Sequence, residues 1–339
     1  MRVTSVCRAF GLAASLIICC WPAAAHAAFP GQNGKIAFTN SDGVFLNVYT
    51  INADGSDLRQ VAARAQYPAW SADGRRLAYF LDSFDTNRGL AVADADGSGP
   101  VTIRPAAYFA DQMSSREQTL VEPAWSPDGG TIAYEDFFVA CSHPSCIVQQ
   151  KGIRAIGADG SGDHLLPLPG FRASDPAYAP DGSQLAWDDD AGVHVSNPDG
   201  TNDTVVTPDG GFDPSWSPDG TRIAFSRGDA IHVINADGSG DRRLTSPSTR
   251  NSDPAWSPDG TKIVWSQRGE LWIMNADGSE QSRLATGGSP DWQPLVGPRL
   301  ADYKNASQFC KAERDFLGEA AFRQKYGNHG GCVSGRRGE

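Results

Sequence analysis

An internal repeat restricts the fold of this chain more than any other feature of its sequence. Five copies of a Pro-x-aromatic unit can be aligned, and each runs through a turn signal into an apolar segment. They are PAWSADGRRLAYF from Pro68, PAWSPDGGTIAYE from Pro123, PAYAPDGSQLAWD from Pro176, PSWSPDGTRIAFS from Pro214 and PAWSPDGTKIVWS from Pro254. A shortened sixth copy, PDWQP, begins at Pro290. The copies are 55, 53, 38, 40 and 36 residues apart, a period that is typical of propeller blades.

A second unit recurs six times between these copies. It reads INADGSDL from Ile51, ADADGSGP from Ala93, IGADGSGD from Ile156, SNPDGTND from Ser196, INADGSGD from Ile234 and MNADGSEQ from Met274. Asp-Gly between apolar segments marks a tight turn, so each repeat predicts four short strands joined by two such turns on one face. A lone four-stranded sheet cannot bury both of its faces, whereas a closed ring of such sheets can.

The ends of the repeat region predict how the ring closes. The segment GQNGKIAFTN, residues 31–40, has the second strand of a repeat without a first strand, and PDWQP has the first strand alone. We therefore predict an all-β fold, a six-bladed β-propeller of four-stranded antiparallel blades over residues 28–296, in which the C-terminal strand joins the first blade. Residues 297–339 would form a short helical tail.

The N-terminus has the pattern of a secretory signal peptide. Arg2 and Arg8 precede an apolar run, and Ala25-His26-Ala27 fits the small-x-small cleavage pattern. We predict a signal peptide over residues 1–27, a mature chain that begins at Ala28, and a secreted or periplasmic, envelope-associated protein. No segment approaches the roughly 20 apolar residues that a membrane-spanning helix requires, so no transmembrane segment is expected.

Four cysteines remain after the predicted cleavage, an even number that favours disulfides in an exported chain. Three pairings can be drawn, and the local one, Cys141 with Cys146 and Cys310 with Cys332, closes the shortest loops. The segment from Asn305 to Tyr326 has aromatic residues at helical spacing and is interrupted by Gly318, which predicts two short helices. Cys310 and Cys332 would hold them as a stapled hairpin.

The SPDG and NADGS runs resemble the repeats of the TolB-type β-propellers. The resemblance covers most of the predicted mature chain and implies an exported, six-bladed, WD-like repeat fold. It says little about activity, because one propeller scaffold carries many functions. TolB itself has an α/β domain before its propeller, and the region after Ala28 leaves no room for one. We therefore expect a propeller of this family with a different role.

Charge and motifs exclude several classes of activity. The net charge of -11 argues against nucleic acid as a partner. The chain has no GxSxG motif and no glycine-rich phosphate loop, so neither a serine hydrolase nor a nucleotide-binding enzyme is indicated. We expect a monomeric, non-enzymatic module without a cofactor. The alternative is a hydrolase or lyase with a metal-assisted site, since propeller enzymes can build such sites from scattered channel residues.

One candidate binding site lies at the channel mouth. The residue before each first-strand proline approaches the central axis on the face opposite the tight turns, and these residues are Tyr67, Glu122, Asp175, Asp213 and Asp253, with Ser289 in the sixth copy. Clustered carboxylates suit a hard cation such as calcium, or a basic or polyhydroxylated ligand. Alternatively, each carboxylate accepts hydrogen bonds between blades. The repeated NADG aspartates are interpreted as turn caps.

The other candidate site is formed by three insertions on the same face. Residues 81–88, 104–121 and 136–151 account for the two long spacings, and loops on a rigid scaffold commonly bind ligands. Their aromatic residues are Phe84, Tyr108, Phe109, Phe137 and Phe138. We predict that this face binds a protein or glycan of the cell envelope; alternatively, the aromatic rings cover the insertions' own small cores.

Overall fold

The computed structural model describes residues 28–82, 88–106, 108–110, 114–142, 145–169, 172–298, 303 and 305–335. These residues form six antiparallel sheets followed by three helices. Each sheet is one blade of a six-bladed propeller, as the repeat predicts.

The first three blades are built as follows. Blade 1 contains β25 (Gly288–Leu295), β1 (Gln32–Ser41), β2 (Leu46–Ile51) and β3 (Arg59–Ala62). Blade 2 contains β4 (Ala65–Trp70), β5 (Arg76–Leu81), β6 (Gly89–Asp94) and β7 (Val101–Pro105). Blade 3 contains β8 (Tyr108–Ala110), β9 (Ser114–Trp125), β10 (Thr131–Ser142), β11 (Ser145–Gly157) and β12 (His164–Leu165).

The other three blades are regular. Blade 4 contains β13 (Ser174–Tyr178), β14 (Leu185–Asp189), β15 (Gly192–Ser196) and β16 (Thr204–Val205). Blade 5 contains β17 (Phe212–Trp216), β18 (Arg222–Arg227), β19 (Ala230–Asn235) and β20 (Arg242–Arg243). Blade 6 contains β21 (Asn251–Trp256), β22 (Lys262–Gln267), β23 (Glu270–Asn275) and β24 (Ser282–Thr286), after a short 3-10 turn at Pro247–Thr249.

The ring is closed within blade 1, which confirms the prediction from the two half-repeats. Strand β25 is the inner strand of blade 1 and is hydrogen-bonded to β1, so the two ends of the repeat region share one sheet. The side chain of Gln293 on β25 accepts a hydrogen bond from the backbone amide of Lys35 on β1 at 3.2 Å. Because both ends are held in one sheet, the ring cannot open without breaking its hydrogen bonds.

Six separate hydrophobic clusters fill the interfaces between neighbouring blades. Each combines residues of two adjacent blades, and the cluster between blades 4 and 5 contains Ala177, Val193, Trp216 and Phe225. The indole of Trp216 also donates a hydrogen bond to the carbonyl of Ala177 in the preceding blade at 3.1 Å. The tryptophan of the Pro-x-Trp unit therefore packs the blades together, which explains its recurrence in the sequence.

A β-bulge interrupts the inner strands of blades 2 to 6 at their prolines. The residue before the proline has a positive φ in all six blades, between 51° and 59°. In blade 5 the pairing of β17 with β18 shifts register between Phe212 and Ser215, on either side of this residue. Proline cannot donate to the ladder, and a bulge removes the need for its missing N–H. The bulge turns the residue before the proline out of the regular strand.

Blade 3 differs from the sequence-based expectation. The segments 104–121 and 136–151 are treated above as insertion loops, whereas β9, β10 and β11 continue through them as strands of 12 or 13 residues. The extra strand β8 pairs with the start of β9. Runs such as Thr119-Leu120-Val121 and Ile147-Val148 have high β-propensity, which favours strand over irregular loop.

The chain after the ring is a second compact unit that begins at Leu295. It contains α1 (Ala306–Leu317), α2 (Glu319–Tyr326) and α3 (His329–Gly335), so the two helices predicted on either side of Gly318 are present and a third follows. The disulfide between Cys310 and Cys332 confirms the predicted pairing in the tail. Across the described residues, no helix combines the length and the apolar character needed to cross a membrane.

Candidate functional site

The residues before the inner-strand prolines converge on the channel, near the face that carries the long connections. We call this face the loop face and the opposite one, with the Pro-Asp-Gly and Asp-Gly turns, the turn face. The side chains are buried, none more than 5 % exposed, and they belong to Tyr67, Glu122, Asp175, Asp213 and Asp253. The predicted candidates are therefore interior groups of the channel wall.

Two further carboxylates join this group, and the sequence analysis did not identify them. Carboxylate oxygens of Glu122, Glu135 and Asp175 lie within 4.8 Å of one another, as do those of Asp175, Asp188 and Asp213. Glu135 and Asp188 follow the aromatic residue of the second strand, in the IAYE and LAWD segments. The same column of the repeat holds Ser226 and Ser266, so its polar character was visible in the alignment. We call the residues Glu122, Glu135, Asp175, Asp188 and Asp213 the carboxylate cluster.

In some of these side chains, one carboxylate oxygen accepts a hydrogen bond from the backbone of the neighbouring blade. Asp188 accepts the backbone N–H of Asp213 at 2.7 Å, and Asp213 in turn accepts the N–H of Asp253 at 3.3 Å. In the same positions of other blades, Thr39 accepts the N–H of Tyr67 and Ser266 accepts the N–H of Ser289. The alternative interpretation from the sequence, in which the acids are hydrogen-bonded between blades, thus describes part of the arrangement.

Some of the other carboxylate oxygens that the structure describes in the channel have no hydrogen-bond partner. Within the described part of the chain, Oδ1 of Asp175 and Oδ1 of Asp253 are buried and have no hydrogen-bond partner. A buried carboxylate oxygen without a partner carries the full cost of its lost hydration. A proton or a cation at this place would remove that cost.

Burial raises the pKa values of Asp175, Asp188 and Asp253, and neighbouring carboxylates raise them further. The pKa of Asp175 lies well above its usual range because of burial and the charges of Glu122 and Asp188. Burial and the charge of Asp213 raise the pKa of Asp188 to about 7 and that of Asp253 to about 8. Near neutral pH these three carboxyl groups therefore retain protons or are paired with positive charge. Carboxylate oxygens in such numbers fit a hard divalent cation such as calcium.

A second feature of the loop face is an exposed apolar hairpin between β1 and β2. Val44, Phe45 and Leu46 are 76 %, 38 % and 37 % exposed, and we call them the apolar tip. The carboxylate of Asp42 accepts the backbone N–H groups of Val44 and Phe45, each at 2.8 Å. The guanidinium of Arg64 lies 4.2 Å from the centre of the Phe45 ring. These contacts hold the tip in a fixed conformation although it faces solvent.

The predicted insertion residues are only partly described. Phe137 packs against the hydrophobic cluster between blades 2 and 3. Phe84 lies outside the described residues, and so do the side chains of Tyr108, Phe109 and Phe138, whose backbones belong to β8 and β10. Cys141 on β10 and Cys146 on β11 are opposite each other in the backbone register. Their side chains are not among those that the structure describes.

A known protein family matches most of the propeller. The family model described as "TolB beta propeller domain" matches residues 81–298, more than half of the chain. The chain belongs to the TolB β-propeller family. A comparison with curated protein sequences gives no match.

Solved structures share the fold of this chain at low sequence identity. TolB from Acinetobacter baumannii is 21 % identical with a TM-score of 0.59, over 78 % of this chain and 68 % of that one. A nidogen/laminin complex contains a chain that is 13 % identical, TM-score 0.57, over 77 % and 98 %. An oligogalacturonate lyase in complex with manganese is 15 % identical, TM-score 0.50, over 78 % of each chain. At such identities the likeness concerns the fold alone.

Proposed function

We propose that this protein is an exported, non-enzymatic module that binds a protein of the cell envelope through its loop face. The apolar tip is the observation that carries the proposal. Contiguous exposed apolar residues are costly in water unless a partner covers them, and the hydrogen bonds from Val44 and Phe45 to Asp42 already hold this segment rigid. A preorganised apolar contact loses little conformational entropy on binding.

Other exposed residues of the loop face support a protein as the ligand. Phe212, at the start of β17, is 48 % exposed on the same face. The long strands of blade 3 also extend towards this face from the regular part of their blade. Val44 and Leu46 are aliphatic and suit a protein surface, whereas sugar rings are stacked on aromatic faces. The one aromatic ring of the tip, Phe45, is already covered on one face by the guanidinium of Arg64. A glycan is therefore the less suitable ligand for the tip.

The family of the chain, one similar fold and the signs of export are all consistent with this proposal. Family members share the propeller that this chain has, and one similar fold occurs in a nidogen/laminin complex, an assembly of two proteins. Export is supported by the signal-peptide pattern of residues 1–27 and by the disulfide between Cys310 and Cys332, a bond that persists in oxidising compartments. In the native host we expect the secreted or periplasmic form to begin at Ala28.

Replacing part of the tip tests the binding proposal. We expect Val44→Ser with Leu46→Ser to lower the recovery of cross-linked envelope proteins at least about tenfold, because two apolar anchors lose their burial. Quantitative mass spectrometry of cross-linked complexes from the native host would measure it. Leu58→Ser is the matched control, since Leu58 is an exposed apolar residue on the turn face and should leave recovery unchanged.

Equal recovery of the same proteins by the wild type, the double tip variant and Leu58→Ser would contradict binding through the tip. Retention of isolated envelope polysaccharide by the wild type, with no cross-linked protein, would replace the protein by a glycan. Intact precursor in the cytoplasm would contradict export. It would not affect the test of binding through the tip.

A second candidate function rests on the carboxylate cluster. Its two triads offer oxygen ligands within 4.8 Å of one another, which fits a hard cation that could assist a hydrolase or lyase reaction at the channel mouth. The similar fold of an oligogalacturonate lyase in complex with manganese is consistent with such chemistry on this scaffold. In such a site the ion would be held by Glu122, Glu135 and Asp175, or by Asp175, Asp188 and Asp213.

Elemental analysis and calcium titration test this candidate. If the cluster binds a divalent cation, calorimetry will detect calcium binding to the wild type and a loss of at least about tenfold in affinity for Asp175→Asn, which removes one charged ligand. Asp237→Asn, in an exposed turn, is the control and should bind as the wild type does. Absence of metal in the purified protein, together with no heat on titration, would remove this function.

A further inference from the structure

The first described residues of the chain lie at the turn-face end of the channel. The backbone amide of Ala28 donates to the carbonyl of Trp216 at 3.3 Å, and the amide of Gly31 donates to the carbonyl of Pro258 at 3.2 Å. Trp216 ends β17, and Pro258 lies in the Ser-Pro-Asp-Gly turn of blade 6. The segment 28–31 is thus bound to two blades at the end of the channel that faces away from the carboxylate cluster.

Two consecutive side chains of this segment reach opposite sides of the ring. Ala28 is 2 % exposed and belongs to the hydrophobic cluster between blades 5 and 6. Phe29 is 4 % exposed and belongs to the cluster between blades 2 and 3. These two interfaces lie across the axis from each other in a six-membered ring. Adjacent residues can contact both only if they cross the channel, so this segment, which we call the amino-terminal plug, closes its turn-face end.

The position of Ala28 coincides with the cleavage site that the sequence predicts. Processing after Ala27 would convert the buried amide of Ala28 into an α-ammonium group with three hydrogens to donate. The carbonyl of Trp216, which already accepts a hydrogen bond from Ala28, is an acceptor for this group. The buried carboxyl groups of Asp213 and Asp253 lie farther along the channel, towards the loop face.

We propose that the turn-face end of the channel is a binding site for the chain's own processed amino terminus, which it recognises as a free α-ammonium followed by Ala28 and Phe29. The proposal rests on the proposed export, since signal-peptide cleavage creates this terminus. The site would accept any peptide that begins with a small residue and an aromatic residue. Its occupation makes the channel a blind pocket that ligands enter from the loop face.

Complementation by a peptide tests the site directly. The chain beginning at Ala28 and a chain beginning at Gln32 are each released from a fusion by a protease that leaves no extra residue. We expect the shorter chain to melt roughly 5–10 °C lower, because a large buried aromatic side chain is lost. The peptide Ala-Phe-Pro-Gly-amide should restore much of this difference to the shorter chain and should leave the longer chain unchanged.

Two control peptides test the contributions of the aromatic ring and of the positive charge separately. Ala-Ala-Pro-Gly-amide lacks the aromatic ring, and N-acetylated Ala-Phe-Pro-Gly-amide lacks the positive charge. We expect the first to restore nothing and the second to require at least about tenfold more peptide for the same shift, since it has lost a charge-assisted hydrogen bond. Equal effects of all three peptides, or of none, would overturn the proposal.

Labelling of amino groups provides a second measurement that does not depend on the shorter chain folding. In the chain that begins at Ala28, the α-amine should react with an acylating reagent at least about tenfold more slowly in buffer than in urea. Phe29→Ala should remove much of this protection. Identical labelling rates in buffer and urea would overturn the proposal. A failure of export would appear separately, as uncleaved precursor in cells, and would not alter these results for the purified chains.

Discussion

Asp213 shows how a single residue serves both the ring and the channel. Its positive φ of 56° creates the bulge before Pro214, a conformation that costs a non-glycine residue about 1–2 kcal/mol. Its backbone N–H and one carboxylate oxygen then connect blade 5 to blades 4 and 6 through Asp188 and Asp253. Alignment of the repeats predicts the position of Asp213 near the axis. It does not predict the contact with Asp188, because that contact arises only when the bulge reorients the side chain.

The raised pKa values of Asp188 and Asp253 make stability depend on pH. The folded state keeps these protons to about pH 7 and 8, whereas the unfolded chain releases them near pH 4. The free energy of unfolding should therefore fall as pH rises from about 4 to 8, by up to about 1.4 kcal/mol per pH unit and group. Asp253→Asn imitates the protonated form, so it should flatten this decline and raise the melting temperature more at pH 8 than at pH 5.

Thermal melts between pH 5 and 8 in a chelating buffer would measure this effect. Asp237→Asn is the matched control, since Asp237 caps an exposed turn and its pKa is lowered by hydrogen bonds from Ser239. Parallel curves for the wild type and Asp253→Asn would contradict the assignment of the pH dependence to this group.

At the scale of elements, turns and helices were predictable where local chemistry determines them. Asp128 accepts the hydroxyl of Ser126 and the amide of Gly130, the turn cap that the Ser-Pro-Asp-Gly pattern indicates. Helices α1 and α2 meet at Gly318 as predicted. Helix α3 was not predicted, because its sequence His329–Gly335 contains three glycines and has low helix propensity. Tertiary contacts hold it, through Cys332 in the small core of the tail.

The disulfide between Cys310 and Cys332 should determine the stability of the tail. A unit that begins at Leu295 is too small to form a stable core by itself, and closing a loop of this length contributes about 3 kcal/mol. We expect Cys310→Ser with Cys332→Ser to abolish hydrogen-exchange protection of α1. The amides of β22 in the same sample are the internal reference. Unchanged protection of α1 in the double variant would contradict this role of the disulfide.

At the scale of the whole molecule, the half-repeats predicted the number of blades and their closure. They did not predict the plug, because Ala28-Phe29-Pro30-Gly31 has no periodicity and its burial depends on four distant blades. The apolar tip was also not identified. Nothing in the segment Val44-Phe45-Leu46 distinguishes an exposed hairpin from an ordinary strand, so its exposure follows only from the length of β1 and β2.

Removal of the closing strand should destabilise the whole ring. A chain that ends at Gly287 lacks β25 and the buried Trp292, which leaves the inner edge of β1 unpaired. We expect its melting temperature to fall by roughly 10 °C or more, since the loss combines a large buried side chain with the hydrogen bonds of a strand. A chain that ends at Val296 keeps β25 and is the control. Similar melting of both truncated chains would show that closure contributes little.

Because β25 pairs with β1, blade 1 can be completed only after the rest of the ring has been synthesised. Strand β1 leaves the ribosome well before its partner, which follows some 250 residues later. Blades 2 to 6 consist of neighbouring strands and can form one after another, whereas blade 1 must wait with an unpaired edge. Contacts of such long range slow folding and expose edges to aggregation. Until the last strand arrives, the inner edge of β1 is therefore open to pairing with other chains.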